Sequence, residues 1–334
     1  MHYPVQRDHN RRLTLRSFLH CFCLGLAVAC SAGALAGTDF PSKPITLVVP
    51  FPAGSTTDGV ARSLSARAQT YLGQAIVVEN KPGAEGQLAA QDVARAAADG
   101  YRITLATSGN LSLLPALRIQ PPYDVMADFT PIADIGRFTF VFYVRQDLPV
   151  STLAEFAEYA KRRPGQLNYA TGNSTGQVTF AHLKGRMGVD MVHVPYKGEP
   201  PAMMDLLAGR VDAMIGTTIG LPYVKEGRVR ALAVLSTTRS AVFPSTPTLE
   251  ESGFERLPIT SWAGVLGPKG LPPAVVARIA AAFNRAAADA QVQAQMDSLG
   301  FPLEQGGPEA LRPLMAQQLA IHAQLVKQAG LSPE

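Results

Sequence analysis

Apolar residues along this chain fall into two recurring patterns: short β-branched runs, and longer stretches with an apolar position every three to four residues. The first predicts buried strands and the second amphipathic helices. Strands are expected over 45–49, 75–79 and 103–106, alternating with helices over 58–72 and 86–98; Val60, Leu64, Ala68 and Tyr71 share one face of the first helix. A second series places strands over 138–144, 167–170, 191–194, 211–215 and 231–235. Between them lie helices over 152–163, from the loop 171–176 to Met187, and over 202–208. Amphipathic helices over 274–288 and 308–329 close the chain. This alternation predicts an α/β fold with parallel sheets. At about 150 residues per domain, 334 residues suffice for two domains. No long linker separates them, so two closely joined lobes are expected.

Composition sharpens that picture in one place. Net charge is +4, but residues 1–36 hold four Arg against Asp8, leaving 26 Lys+Arg against 25 Asp+Glu in the rest. The body is therefore near neutral, with no basic patch to suggest a nucleic-acid partner. The N-terminal segment itself has the parts of a secretory signal: a basic region to Arg16, an apolar stretch over 18–29 and the small-residue site Ala34-Leu35-Ala36. Cleavage after Ala36 and export to the periplasm are expected. Asn10-Arg11-Arg12-Leu13-Thr14-Leu15 leaves twin-arginine export open, and Ala27-Val28-Ala29-Cys30 leaves a lipid anchor open. All three cysteines lie in this segment, so the mature chain has no thiol, disulfide or thiolate metal site.

Candidate chemistry concentrates in three loops between a strand and a helix, over 53–58, 107–110 and 171–176, all rich in Gly, Ser, Thr and Asn. In an open parallel sheet such loops lie at the ligand-binding edge. The helix N-termini there expose free N–H groups and attract anions. Each loop by itself could equally be a helix cap; the three together point to a shared anion site. Gly172-Asn173-Ser174-Thr175-Gly176 also satisfies G-x-S-x-G, the nucleophile elbow of α/β-hydrolases. An exported esterase using Ser174, with Asp205 or Asp212 and His322, is the alternative reading. After residue 36 only His182, His193 and His322 remain, with no acidic cluster at ligand spacing, so no metal and no cofactor are expected. Lys197 follows a strand and could form a Schiff base, contact an anion or be solvated.

The motifs in order resemble one family. They are Pro50-Phe51-Pro52-Ala53-Gly54 with Asp58, Val78-Glu79-Asn80-Lys81-Pro82-Gly83, His193-Val194-Pro195-Tyr196-Lys197-Gly198, and Asp205 through Asp212. Arg230-Ala231-Leu232-Ala233-Val234 and Trp262-Ala263-Gly264 continue the likeness, which runs from about Phe40 to the C-terminus. The chain resembles the Bug solute receptors of tripartite tricarboxylate transporters. The resemblance implies a periplasmic binding protein fold, two α/β lobes joined by two crossing strands, with a carboxylate in the cleft. It places lobe 1 at 37–140 plus 260–334 and lobe 2 at 141–259. It implies membrane transporter subunits as partners, and the protein is read as a monomer and not an enzyme. Carried over, the ligand-binding residues are Phe51, Ala53, Gly54, Ser55 and Asp58, with Thr171, Gly172, Ser174 and Thr175. Tyr196, Lys197 and Asp212 would border the cleft, facing Thr107, Ser108 and Asn110. Where the family often carries glycines, Ser55 brings a side chain that narrows or re-aims the pocket.

Overall fold

The chain alternates strands and helices around two separate sheets. A computed structural model describes residues 1–3 and 40–333. From residue 4 on, the expected secretory signal lies outside the described residues, as do its expected cleavage site and the three cysteines. Residues 43–334 form one compact unit, and no helix among the described residues is long and apolar enough to cross a membrane.

Strand β1 (Ile45–Val49) leads into α1 (Thr56–Leu72), β2 (Ile76–Asn80), α2 (Gln87–Ala94), β3 (Arg102–Thr107) and β4 (Phe129–Arg137). The chain then enters a second sheet through β5 (Val141–Arg145). That sheet continues with α3 (Leu153–Lys161), β6 (Asn168–Thr171), α4 (Ser174–Met187), β7 (Val192–Pro195), α5 (Glu199–Leu207), β8 (Ala213–Gly216), α6 (Leu221–Lys225) and β9 (Val229–Val234). It returns to the first sheet as β10 (Trp262–Pro268), followed by α7 (Pro273–Ala287), α8 (Ala290–Ser298), β11 (Leu303–Gly306) and α9 (Pro308–Gln328). Strand order is β11-β4-β10-β3-β1-β2 in the first sheet and β7-β6-β8-β5-β9 in the second. The chain passes between sheets over 138–140 and back over 235–261. Strands β1, β2 and β3 run parallel, as do β6, β7 and β8, while β10 pairs antiparallel with β3 and β4.

Local chemistry explains most of these boundaries. Ser55 caps α1 by accepting from the Asp58 amide, and Gly73, at φ 76°, ends it in the left-handed conformation that glycine adopts without strain. Thr152 and Glu155 form a reciprocal capping box at the start of α3. The strand β4 is absent from the hydrophobic pattern because Pro131, Asp134 and Gly136 interrupt its run; pairing on both edges, to β10 and β11, buries it nevertheless. The expected strand over 138–144 begins instead at Val141. Helix α5 starts at Glu199, before the expected residue 202, because Pro200 and Pro201 occupy the first turn, where a missing N–H is harmless.

Each sheet has its own core. In the first, Trp262, Leu266, Leu111 and Leu311 pack together with no exposed surface. In the second, the Phe180 ring stacks on Tyr169 at 3.9 Å and on Phe142 at 5.2 Å, and Phe156 meets Phe142 edge-on at 5.1 Å. Such ring pairs add to area burial in fixing the packing. The parallel strands of both sheets end at a common cleft, where the site is built.

Candidate functional site

Four strand ends meet at this cleft, each carrying a short polar loop. After β1, Phe51 is tied down through its carbonyl, which accepts from Asn80 Nδ2 at 3.1 Å. The same nitrogen donates to Asp58 at 2.9 Å. Asp58 also accepts from the Gly54 amide at 3.1 Å and from Arg62. Burial pushes its carboxyl up, but the bonds from Arg62, Asn80 and Gly54 outweigh it and hold the pKa below the usual value. This knot presents the start of α1, with Ser55, Thr56 and Thr57 buried against the other lobe.

After β3, Asn110 accepts from the Thr107 amide at 2.8 Å and the Thr107 hydroxyl at 3.1 Å. The turn carries Ser108 and Gly109 toward the second lobe, and a Cβ at Gly109 would lie 3.1 Å from the Thr175 hydroxyl. Asn110 Nδ2 is buried with no hydrogen-bond partner among the described residues.

After β6, Asn173 caps α4 by accepting from the Gly176 amide at 2.9 Å, and its Nδ2 donates to Glu199 at 2.6 Å. Gly172 allows the loop to touch the start of α5, since a Cβ there would sit 2.4 Å from the Glu199 amide nitrogen. Glu199 also accepts from the Thr217 amide at 3.0 Å and from the Thr217 hydroxyl. Burial raises its pKa, against the opposing bonds from Thr217 and Asn173. Thr217 follows β8, and its carbonyl accepts the Tyr143 hydroxyl at 2.8 Å.

These loops line a narrow cavity of about 20 Å³. Lobe 1 contributes Phe51, Ser55, Thr56, Thr57, Thr107, Ser108 and Gly109. Lobe 2 contributes Asn173, Thr175, Glu199 and Thr217, and the crossing segment adds Phe138 and Phe140. Among the described residues, no Lys, Arg or His lines it. The starts of α1 and α4 reach it from opposite lobes.

Of the residues expected at the site, the structure brings Phe51, Ser55, Thr107, Ser108 and Thr175 onto the cavity wall. Gly54 and Asp58 line a neighbouring groove between the lobes, and Ala53 is exposed beside them. Asn110, Thr171 and Gly172 stand behind the wall, where Asn110 holds its turn and Thr171 bonds His193 at 2.7 Å. Ser174 donates its hydroxyl to Glu85 of the other lobe. Tyr196 turns into the second lobe, its hydroxyl bonded to Asp205 at 2.7 Å, and Lys197 is exposed. Asp212 is a correction: it precedes β8, at the opposite edge of the sheet from the cleft. There it pairs with Arg145 at 2.8 Å and accepts from the Asn168 amide. A position at the start of a parallel strand cannot face loops at the strand ends. The cavity residues missing from the sequence reading are Thr56, Thr57, Gly109, Phe138, Phe140, Asn173, Glu199 and Thr217. Thr56, Thr57 and Asn173 belong to loops that the sequence did single out; Glu199 and Thr217 carried no local signal.

The esterase geometry is not assembled. Ser174 bonds Glu85, Asp205 bonds Tyr196 and Arg210, and Asp212 bonds Arg145. His322 is fully buried with neither ring nitrogen partnered, and burial lowers its pKa to about 4. No Ser–His–Asp relay joins these groups.

Known proteins agree with this architecture. A family described as the tripartite tricarboxylate transporter family receptor matches residues 60–331. Protein BugT of Bordetella pertussis is 33% identical over 316 residues, covering 91% of this chain and 95% of that protein. The solved structure of the periplasmic binding protein BugD is 36% identical with a TM-score of 0.84, covering 88% of this chain and all of that one. MatC from Rhodopseudomonas palustris, solved with bound malate, is 33% identical with a TM-score of 0.82, covering 86% of this chain and all of that one. Sequence, strand order and the paired-loop cleft thus converge, and the chain belongs to the tripartite tricarboxylate transporter receptor family, as a two-lobed solute-binding receptor related to the Bug proteins.

Proposed function

We propose that this receptor captures a small carboxylate between its lobes and delivers it to membrane transporter subunits. The observation that carries the reading is the convergence of two helix N-termini, at Ser55–Thr57 and at Asn173–Thr175, on one cavity without basic side chains. Free N–H groups and hydroxyls can hold a carboxylate there, and a ligand touching both lobes biases them toward closure. The relative MatC holds malate, which supports a carboxylate as the ligand class. The chain is exported to the periplasm, cleaved after Ala36 and acts as a monomer without enzymatic turnover.

A thermal-shift screen against mono-, di- and tricarboxylates, aromatic carboxylates and amino acids tests the reading. A carboxylate at 100 times its dissociation constant adds about 2.7 kcal/mol of stability. A screen in which no carboxylate shifts the melting temperature overturns the proposal. Ester turnover that vanishes in Ser174→Ala would also overturn it, in favour of a hydrolase.

A further inference from the structure

We infer that Glu199 recognises a cationic nitrogen, so that the cavity selects a small carboxylate bearing an ammonium or quaternary ammonium group. The inference rests on the carboxylate-receptor reading above and names its ligand class. Glu199 is 5% exposed, at the first position of α5. One carboxyl oxygen accepts from Asn173 Nδ2 at 2.6 Å, and the other from the Thr217 amide at 3.0 Å and the Thr217 hydroxyl. Asn173 Nδ2 and the Thr217 amide nitrogen can only donate, and an ionised carboxylate accepts at both oxygens, so these two contacts suit the charged form although burial opposes it. What they lack is a counter-charge. Among the described residues, no Lys, Arg or His lines the cavity and no ion pair includes Glu199. A buried carboxylate in that state is unfavourable, and a bound ligand is the group placed to relieve it.

The remaining wall fits the same ligand. Phe51, Phe138 and Phe140 also line the cavity, and aromatic rings attract cations, methylated ones included. The starts of α1, α4 and α5 all bring partial positive charge to this wall, and Glu199 answers part of it. A zwitterion adds no net charge, its carboxylate on the helix starts and its nitrogen against Glu199 and the rings. A plain monocarboxylate adds one negative charge to the cavity beside Glu199, and a dicarboxylate adds two.

Matched ligand pairs test this by calorimetry on the full mature protein at a pH of about 7.5. The pairs are glycine betaine with 3,3-dimethylbutanoate, 4-aminobutanoate with pentanoate, and proline with cyclopentanecarboxylate, each differing by nitrogen for carbon. The nitrogen-bearing member is expected to bind at least about tenfold tighter in one pair or more, and Glu199→Gln to abolish that preference. The wild-type comparison stands whether or not the variant folds. Equal or tighter binding of the carbon member in every pair overturns the inference while leaving the receptor reading intact. So does a preference that Glu199→Gln retains, or binding of some other carboxylate when no member of any pair binds. If no carboxylate of any kind binds, the receptor reading itself fails and the inference falls with it.

Discussion

Thr56, in the first turn of α1, and Thr217, just after β8, share a hydroxyl–hydroxyl hydrogen bond of 2.8 Å across the cleft. It joins the helix start of one lobe to the threonine that holds Glu199 in the other. Two further bonds cross the same boundary, from Ser174 to Glu85 and from Thr218 to the Leu299 carbonyl. The lobes are therefore described in a closed arrangement, and the same loops that wall the cavity also latch it.

The Glu85 latch has a backbone signature. Ala84 and Glu85 both adopt positive φ, 44° and 56°, which side chains other than glycine occupy only when their surroundings impose it. Removing the latch by Glu85→Ala should weaken closure by about 1 kcal/mol, roughly a fivefold loss of apparent affinity. Calorimetry on the variant, paired with small-angle scattering of the free protein, checks this. An unchanged dissociation constant would show that the bond contributes nothing to closure.

Gly172→Ala tests the contact between the α4 loop and the start of α5. The added methyl would meet backbone atoms of Gly198 and Glu199 at 2.4 to 2.7 Å, and backbone cannot swing aside as a long side chain can. A loss of about 1–3 kcal/mol in urea denaturation is expected, together with weaker ligand binding. Wild-type stability in this variant would mean that the loop sits farther from α5 than described.

Asp212→Ala separates stability from recognition. The carboxylate it removes is bonded to Arg145 and to the Asn168 amide, at the sheet edge remote from the cleft. Unfolding should become easier by about 1–2 kcal/mol, since Arg145 loses one of its two carboxylate partners and the half-buried Asn168 amide loses its acceptor. The ligand dissociation constant should stay within about twofold of wild type. A large change in affinity would restore Asp212 to the site.

His322 predicts an acid-sensitive fold. Its ring stays neutral in the folded protein down to a pKa of about 4, because burial opposes the charged form, whereas the unfolded chain protonates near 6.5. The unfolded state thus binds the extra proton between those values, so stability falls as pH drops through that window, by about 3 kcal/mol in full. Asp58 and Asp92, held below the ordinary carboxylate range, add to the loss at lower pH. Glu199, raised by burial, acts in the opposite sense, stabilising the fold as pH falls through its folded value. His322→Leu should flatten the dependence between pH of about 6.5 and 4, read as the urea midpoint; an undiminished slope would assign the effect elsewhere.

Much of this molecule was legible before folding, because strands and helices are written in local periodicities. Val60, Leu64 and Ala68 mark a helix face, Ile45–Val49 a buried strand, and Ser55 a cap, each from its immediate neighbours. The loops at the strand ends were legible for the same reason, and they brought Ser55, Thr107, Ser108 and Thr175 to the cavity, while Phe51 was expected there from the family resemblance. Periodicity says which face of a strand is buried, but not which residues from distant segments will share a wall. Phe138 and Phe140 read as strand interior and became crossing-segment walls. Glu199 read as part of the loop ahead of a helix, and Thr217 as part of the loop after a strand. Asp212 read as a cleft residue and lies at the far edge, since direction within the sheet follows from pairing to β5 and β6. The sequence determined the two lobes and their polar loops; the tertiary structure alone decided that the cavity would contain a buried carboxylate without a cation, because only folding brings residues 56, 173, 199 and 217 together.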